Sequence, residues 1–245
     1  MLYALVLMSL IIVGVGLLIN QNNAAQLLSG YNTMDASARQ TFDLEGYLRI
    51  FKRFHLFLGA SLLVFGLGLH YTLGELVSGP FLVGYPLLAY AFFIIKSRPY
   101  YGNTKKKAPV LVLLVLLLTL AFTAGLFYLG YSENSIQISG DGIIIAGMYG
   151  ETIAPEQIRD IQLVQELPPI AIKTNGFAVG HLKKGHFGTA HGEEVKLLLN
   201  APAREYLLIT TKDGGKTYYT AKNGGHLAIW RQLKERFPDL VKDLQ

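Results

Sequence analysis

The chain has 245 residues, is 51% hydrophobic and 16% charged, and carries a formal net charge of +5 with no cysteine. Soluble domains carry about 25% charged residues, so much of this chain is written for a solvent other than water. Lacking a thiol, it cannot form a disulfide, use thiol catalysis or bind metal through thiolates.

The charge deficit is local. Residues 1–131 contain Asp35, Asp43, Glu45 and Glu75 as their only acids; the other thirteen acids lie beyond them, beside thirteen Lys or Arg. The first half also holds nine positive residues: Arg39, Arg49, Lys52, Arg53, Lys96, Arg98, Lys105, Lys106 and Lys107. The net charge therefore belongs to two loops of an apolar region, not to a basic face on a folded domain. That argues against nucleic acid as a partner and for a lipid bilayer.

A crossing helix needs about 20 mostly apolar residues. Four stretches predict transmembrane helices: 2–19, 55–73, 76–95 and 109–131. In the first, Met1-Leu2-Tyr3 carries no side-chain charge and the apolar run is longer than the h-region of a signal peptide, so it is expected to be retained. The third contains Pro80 and Pro86, which remove helix hydrogen bonds and predict a kink or a re-entrant segment. Between the first two stretches, Thr33 or Asp35 can cap a helix start. In the loop 33–54, Leu44, Leu48 and Phe51 recur at helical spacing with Arg49, Lys52 and Arg53 between them. This predicts an amphipathic interfacial helix with basic flanks.

Lys and Arg in short loops face the cytoplasm. Arg49, Lys52 and Arg53 mark one such loop, and Lys105, Lys106 and Lys107 the other. The connection 74–80 has no positive residue. The expectation is a multi-pass cell-membrane protein with its amino terminus and residues 134–245 outside. His70, Tyr71 and Glu75 fall near the outer end of the second span, where ionisable groups anchor a helix at the interface.

From Ser135 the apolar pattern changes to alternation. Ile136 and Ile138, Ile161 and Leu163, and Ile170 and Ile172 each share one face of a strand. So do Val195, Leu197 and Leu199, and then Leu207 and Ile209. Gly140-Asp141-Gly142 and Asp213-Gly214-Gly215 are hairpin turns. Gly224-Gly225 ends the last strand, and Leu227, Trp230, Leu233 and Phe237 then recur at helical spacing. The prediction is a domain of about seven strands capped by one α-helix, with Trp230 plugging an open end of the sheet.

Two segments carry family resemblances. Gly30-Tyr31-Asn32-Thr33, after the first span, resembles the GYNT motif of a family of uncharacterised bacterial membrane proteins for which no reaction is established. Lys173-Thr174-Asn175-Gly176-Phe177, followed by Gly180 and by Lys184-Gly185-His186-Phe187, resembles the bacterial pleckstrin-homology-like (PH-like) domains found attached to membrane helices. The second resemblance implies a bent seven-stranded barrel closed by a helix. It does not imply phosphoinositide binding, because Lys183-Lys184 is an isolated pair.

Chemical motifs are sparse. Gly214-Gly215-Lys216-Thr217 imitates the end of a P-loop, but Thr210 stands where a glycine is required, and a tyrosine-rich strand follows. His181, His186 and His191 recur every five residues and are the candidate metal ligands, although that spacing sends strand neighbours to opposite faces. No catalytic constellation and no cofactor motif is recognisable. The reading is a non-enzymatic protein that binds a protein or peptide through its outer domain, as a sensor, accessory or immunity-type protein. The alternatives are a subunit of a membrane enzyme or transporter, and a structural envelope protein.

Overall fold

The computed structural model describes residues 1–28, 30–101, 107–140 and 142–242. Asp141, Lys105 and Lys106 lie outside the described residues; Lys107 opens a helix. The chain divides into two units, Met1–Gly125 and Leu126–Gln245.

The first unit is helical. It runs through α1 (Leu2–Leu18), the short α2 (Ala24–Leu27) and α3 (Ala36–Thr41), and then α4 (Leu44–Leu73) and α5 (Glu75–Ser97). A 3-10 turn follows at Arg98–Tyr101, and then α6 (Lys107–Tyr131), whose last residues belong to the second unit. Among the described residues, three helical segments are long and apolar enough to cross a membrane: Leu44–Leu73, Glu75–Tyr101 and Val110–Tyr131. The apolar α1 is shorter, at 17 residues, the lower end of crossing length.

One of these elements differs from the sequence expectation. The amphipathic stripe 44–54 is not a separate interfacial helix. It is the start of the 30-residue α4, because its 3.6-residue period runs without a break into that of the following apolar stretch. The third expected span is the single helix α5, continuous through Pro80 and Pro86 and long and apolar enough to cross a membrane. Of the two proposed caps before the basic stretch, Asp35 takes the role, accepting from the Ala38 N–H at 2.7 Å. Asp43 caps α4 by accepting from the Gly46 N–H at 2.9 Å.

Small residues hold α1 against α4. A Cβ added at Gly59 would lie 2.5 Å from Val13 Cγ2 and 2.9 Å from the Ser9 carbonyl oxygen, and one at Gly16 would lie 2.5 Å from His55 Cβ. Helices in lipid gain no hydrophobic drive from meeting each other, so this close backbone approach supplies the packing energy. The Met1 ammonium reaches Glu75 at 3.5 Å, which puts the amino terminus at the same end as the α4–α5 turn. At the opposite end, Ala24, Leu28, Phe42, Tyr47, Phe51 and Phe93 form a buried cluster joined by Tyr31, Tyr100 and Tyr101. The basic residues 39, 49, 52, 53, 96 and 98 belong to the segments gathered there.

The second unit is the expected β domain with one long helix, α7 (Gly225–Arg236). A three-stranded sheet comprises β1 (Ile136–Ser139), β2 (Gly142–Ile145) and β3 (Glu151–Ile153). The seven-stranded sheet comprises β4 (Ile158–Val164), β5 (Ile170–Val179), β6 (Leu182–Thr189), β7 (Glu194–Leu199), β8 (Tyr206–Thr211), β9 (Lys216–Thr220) and β10 (Val241–Lys242). Its order is β10-β4-β8-β9-β7-β6-β5. The β7–β9 and β10–β4 pairs are parallel, so the sheet is not a simple antiparallel meander.

Alternation divides the side chains between two cores. Leu207 and Ile209 join Ile161, Leu198 and Tyr219 in a core shared with Ile143, Ile145 and Ile153 of the small sheet and Leu233 of α7. Trp230 packs against the same core. On the other face of the large sheet, Phe187, Val195, Leu197, Leu199 and Tyr218 are buried together.

Candidate functional site

An open groove of about 760 Å³ lies in the β domain. All three residues of β3, Glu151, Thr152 and Ile153, line it. Successive strand residues face opposite ways, so three in a row can line one cavity only along the strand's edge. Among the described residues β3 pairs with β2 alone, which leaves its other edge open to a further strand. The opposite wall is built from His186, Glu194, Lys196 and Thr217, and the β8–β9 turn from Lys212 to Lys216 closes one side.

The groove carries both signs of charge. Glu151 bridges its walls, pairing with the Lys196 ammonium at 2.8 Å and accepting from the Thr217 hydroxyl at 3.1 Å. The His186 Nδ1 lies 2.9 Å from a Glu194 carboxylate oxygen, an ion pair when the imidazole is protonated. Lys216 turns away to Glu193 at 2.7 Å, which holds that exposed carboxyl below its usual pKa.

The three histidines are not brought together. His181 sits in the turn before β6 and His191 in the turn after it, with His186 within the strand. Among the described residues no cluster of three metal-ligating side chains occurs. The P-loop look-alike is the β8–β9 hairpin, in which Thr210 pairs with Lys216.

Asn175 and Gly176 do structural work beside the groove. Gly176 pairs with Gly185 across the β5–β6 hairpin. A Cβ on Gly176 would lie 2.4 Å from the Lys184 carbonyl oxygen, and Gly185 has φ +120, a conformation glycine adopts without steric cost. The two glycines therefore let the hairpin bend where neighbouring side chains would collide. Asn175 Oδ1 accepts from the Tyr149 hydroxyl at 2.8 Å, fixing the end of the small sheet to the hairpin.

A buried network that the sequence did not announce holds the start of the domain. Asn134 is fully buried. Its N–H donates to Asn200 Oδ1 at 2.9 Å, and its side-chain amide donates to the carbonyls of Ala146 and Met148 at 3.0 and 2.8 Å. The Tyr219 hydroxyl donates to the Asn134 carbonyl at 2.8 Å. Nearby, the Lys184 ammonium donates to the Ser132 carbonyl. Burial, reinforced by Lys222 and opposed by Glu133, pulls the Lys184 pKa down to about 8.

In the helical unit, Gly30 takes φ +90 and the Thr33 hydroxyl donates to the Gly30 carbonyl at 3.3 Å. Arg39 donates to the carbonyls of Tyr31 and Asn32 at 3.3 and 2.9 Å and lies over the Tyr31 ring. Gly30, Tyr31, Asn32 and Thr33 thus form a turn clamped from within the same loop. Farther along, His55 is buried in α4. Its Nδ1 lies 2.8 Å from the Phe51 carbonyl and its Nε2 lies 2.9 Å from the Tyr90 hydroxyl. A carbonyl only accepts, so Nδ1 carries the hydrogen and Nε2 accepts from Tyr90. Both ring nitrogens are satisfied, and the histidine ties α4 to α5.

Arg49, Lys52 and Arg53 are exposed on α4. Arg49 pairs with Glu45 at 2.9 Å. With Asp43, Gly46, Ile50 and Tyr100, the two arginines line a second pocket of about 330 Å³.

Residues 6–101 match a domain of unknown function (DUF3784). The matched segment covers α1 to α5 and the 3-10 turn, fewer than half of the residues. No curated protein and no solved structure matches the chain.

Proposed function

We propose that this multi-pass membrane protein is non-enzymatic and binds an extended peptide, or an extended segment of a protein, in the groove of its C-terminal domain. The observation that carries the reading is the open edge of β3 lining a groove with a charged opposite wall. A peptide laid along such an edge gains main-chain hydrogen bonds, and side chains across the groove supply selectivity. Glu156 and Glu194, with Lys196 and Lys212, would favour a ligand of mixed charge. The resemblance to PH-like domains supports a binding role as well, since that scaffold serves protein and peptide contacts; fold alone does not identify a ligand.

The domain is proposed to lie outside the cell membrane, with the basic end of the helical unit in the cytoplasm. The charge asymmetry of the loops supports this orientation.

The test is selection of peptides on the purified full-length chain. Thr152→Pro removes an N–H from the β3 edge, and Lys212→Glu reverses an exposed charge beside the groove. Each should weaken selected peptides about tenfold. Peptides that bind both variants as tightly as the wild type would place the site elsewhere.

A further inference from the structure

The pocket at the start of α4 has the construction of a site for an anionic lipid. Helix α4 has 30 residues and at 1.5 Å per residue is about 45 Å long, against about 30 Å of hydrocarbon. About ten residues must therefore stand beyond the hydrocarbon. With the apolar stretch from His55 onward inside, these are Leu44–Arg53, which puts Arg49 and Arg53 at the level of lipid phosphates.

The two guanidinium groups stand one helical turn apart on the same face. Among the described residues, Arg49 is held by the exposed pair with Glu45, a contact worth little in water. The pocket's other walls are fixed. The Asp43 N–H donates to the Tyr100 carbonyl at 3.0 Å, and the Asp43 carboxylate caps α4, so that acid is already engaged. Gly46 admits the Tyr100 ring, since a Cβ there would lie 2.6 Å from Tyr100 Cε1.

The same helix face continues downward in apolar form. Arg49, Arg53, Phe57, Ala60 and Val64 follow one another at three- and four-residue steps, the spacing of one stripe. Phe57 and Val64 are 70% and 65% exposed. A phosphate site that opens directly onto an exposed apolar stripe matches the two halves of a phospholipid, whereas free phosphate would use only the upper half.

We propose that Arg49 and Arg53, with Tyr100 as the side wall, bind the phosphate of an anionic phospholipid whose acyl chain lies along Phe57, Ala60 and Val64. The site depends on neither the orientation of the protein nor the groove of the β domain.

Native mass spectrometry of the full-length chain, released from detergent with added phosphatidylglycerol, phosphatidylcholine or inorganic phosphate, tests the assignment. The wild type should retain phosphatidylglycerol about tenfold more strongly than phosphatidylcholine. Arg49→Gln combined with Arg53→Gln should abolish that preference, while Lys52→Gln, which removes a neighbouring charge outside the pocket, should keep it. Phe57→Gln leaves both arginines in place and should weaken retention several-fold; it also serves if the double variant does not fold. Equal retention of the two lipids, or an equal loss with Lys52→Gln, would overturn the site in favour of diffuse surface charge. Displacement of the lipid by millimolar phosphate would overturn it in favour of a free anion.

Discussion

Asp160 shows how a charge is kept inside the β domain. Its side chain is 5% exposed, and burial alone would raise its pKa. The hydrogen bond from Arg159 and the nearby Lys242 charge outweigh burial, so the carboxyl titrates below its usual range. Its folded pKa is depressed, so its contribution to stability is present above the unfolded value and is lost as pH falls through the folded one. Asp160→Asn should destabilise the domain by about 1–3 kcal/mol at neutral pH. That difference should shrink in acid, as read by chemical denaturation of the purified chain at pH 7 and pH 3. Lys184 also has a depressed pKa, but there folding disfavours the charged form instead of favouring it. Its pKa falls from 10.5 to about 8 on folding, so between those values the unfolded chain holds a proton that the folded chain has released. Stability must rise with pH across that window and be insensitive to Lys184 below it. Relative to Lys184→Met, the wild-type Tm should therefore gain between pH 8 and pH 10. A constant difference between the two proteins would show that the ammonium keeps its proton in the folded state.

At the scale of elements, the contact between α1 and α4 is a close-packed point of the helical unit. Gly59→Val would push branched carbon against the Ser9 carbonyl and Val13. Overpacking of this kind costs about 1–3 kcal/mol and should lower the thermal midpoint of the detergent-solubilised protein. Gly68→Ala is the control, because nothing lies near its added Cβ, and it should leave the midpoint unchanged. The importance of Gly59 could not be read from the sequence, since periodicity marks faces but not the helix that meets them. By contrast, the two faces of β8 were legible. Leu207 and Ile209 enter one core, while Leu208 packs with Tyr206 on the other, because period two is a local property. The groove was not legible, because it joins β3 to strands more than thirty residues away. The Asn134–Asn200 bond spans 66 residues, and neither asparagine sits in a motif. The large sheet has the seven strands expected of the domain, but Ile136 and Ile138, counted among those seven, lie in another sheet. Ile143 and Ile153 belong to a second, smaller sheet, and period two gives no partner.

At the scale of the molecule, two units obey two solvents, and the charge distribution links them through α6. No Lys or Arg occurs between Lys107 and Arg159, whereas five lie between 96 and 107. Cationic loop residues resist translocation, so the segment before α6 should remain in the cytoplasm. A single crossing by α6, whose apolar window has a mean hydropathy of 2.8, would then deliver the β domain to the outside, as proposed above. This step depends on α6 alone and is indifferent to whether the 17-residue α1 crosses. The chain has no cysteine, so single replacements report without background. Arg98→Cys and Arg204→Cys place thiols at exposed positions on either side of α6. In intact cells a membrane-impermeant maleimide should label Arg204→Cys and leave Arg98→Cys unmodified until the membrane is opened. The reverse pattern would put the groove in the cytoplasm, among cytoplasmic peptides. Labelling of both in intact cells, or of neither, would mean that α6 does not cross.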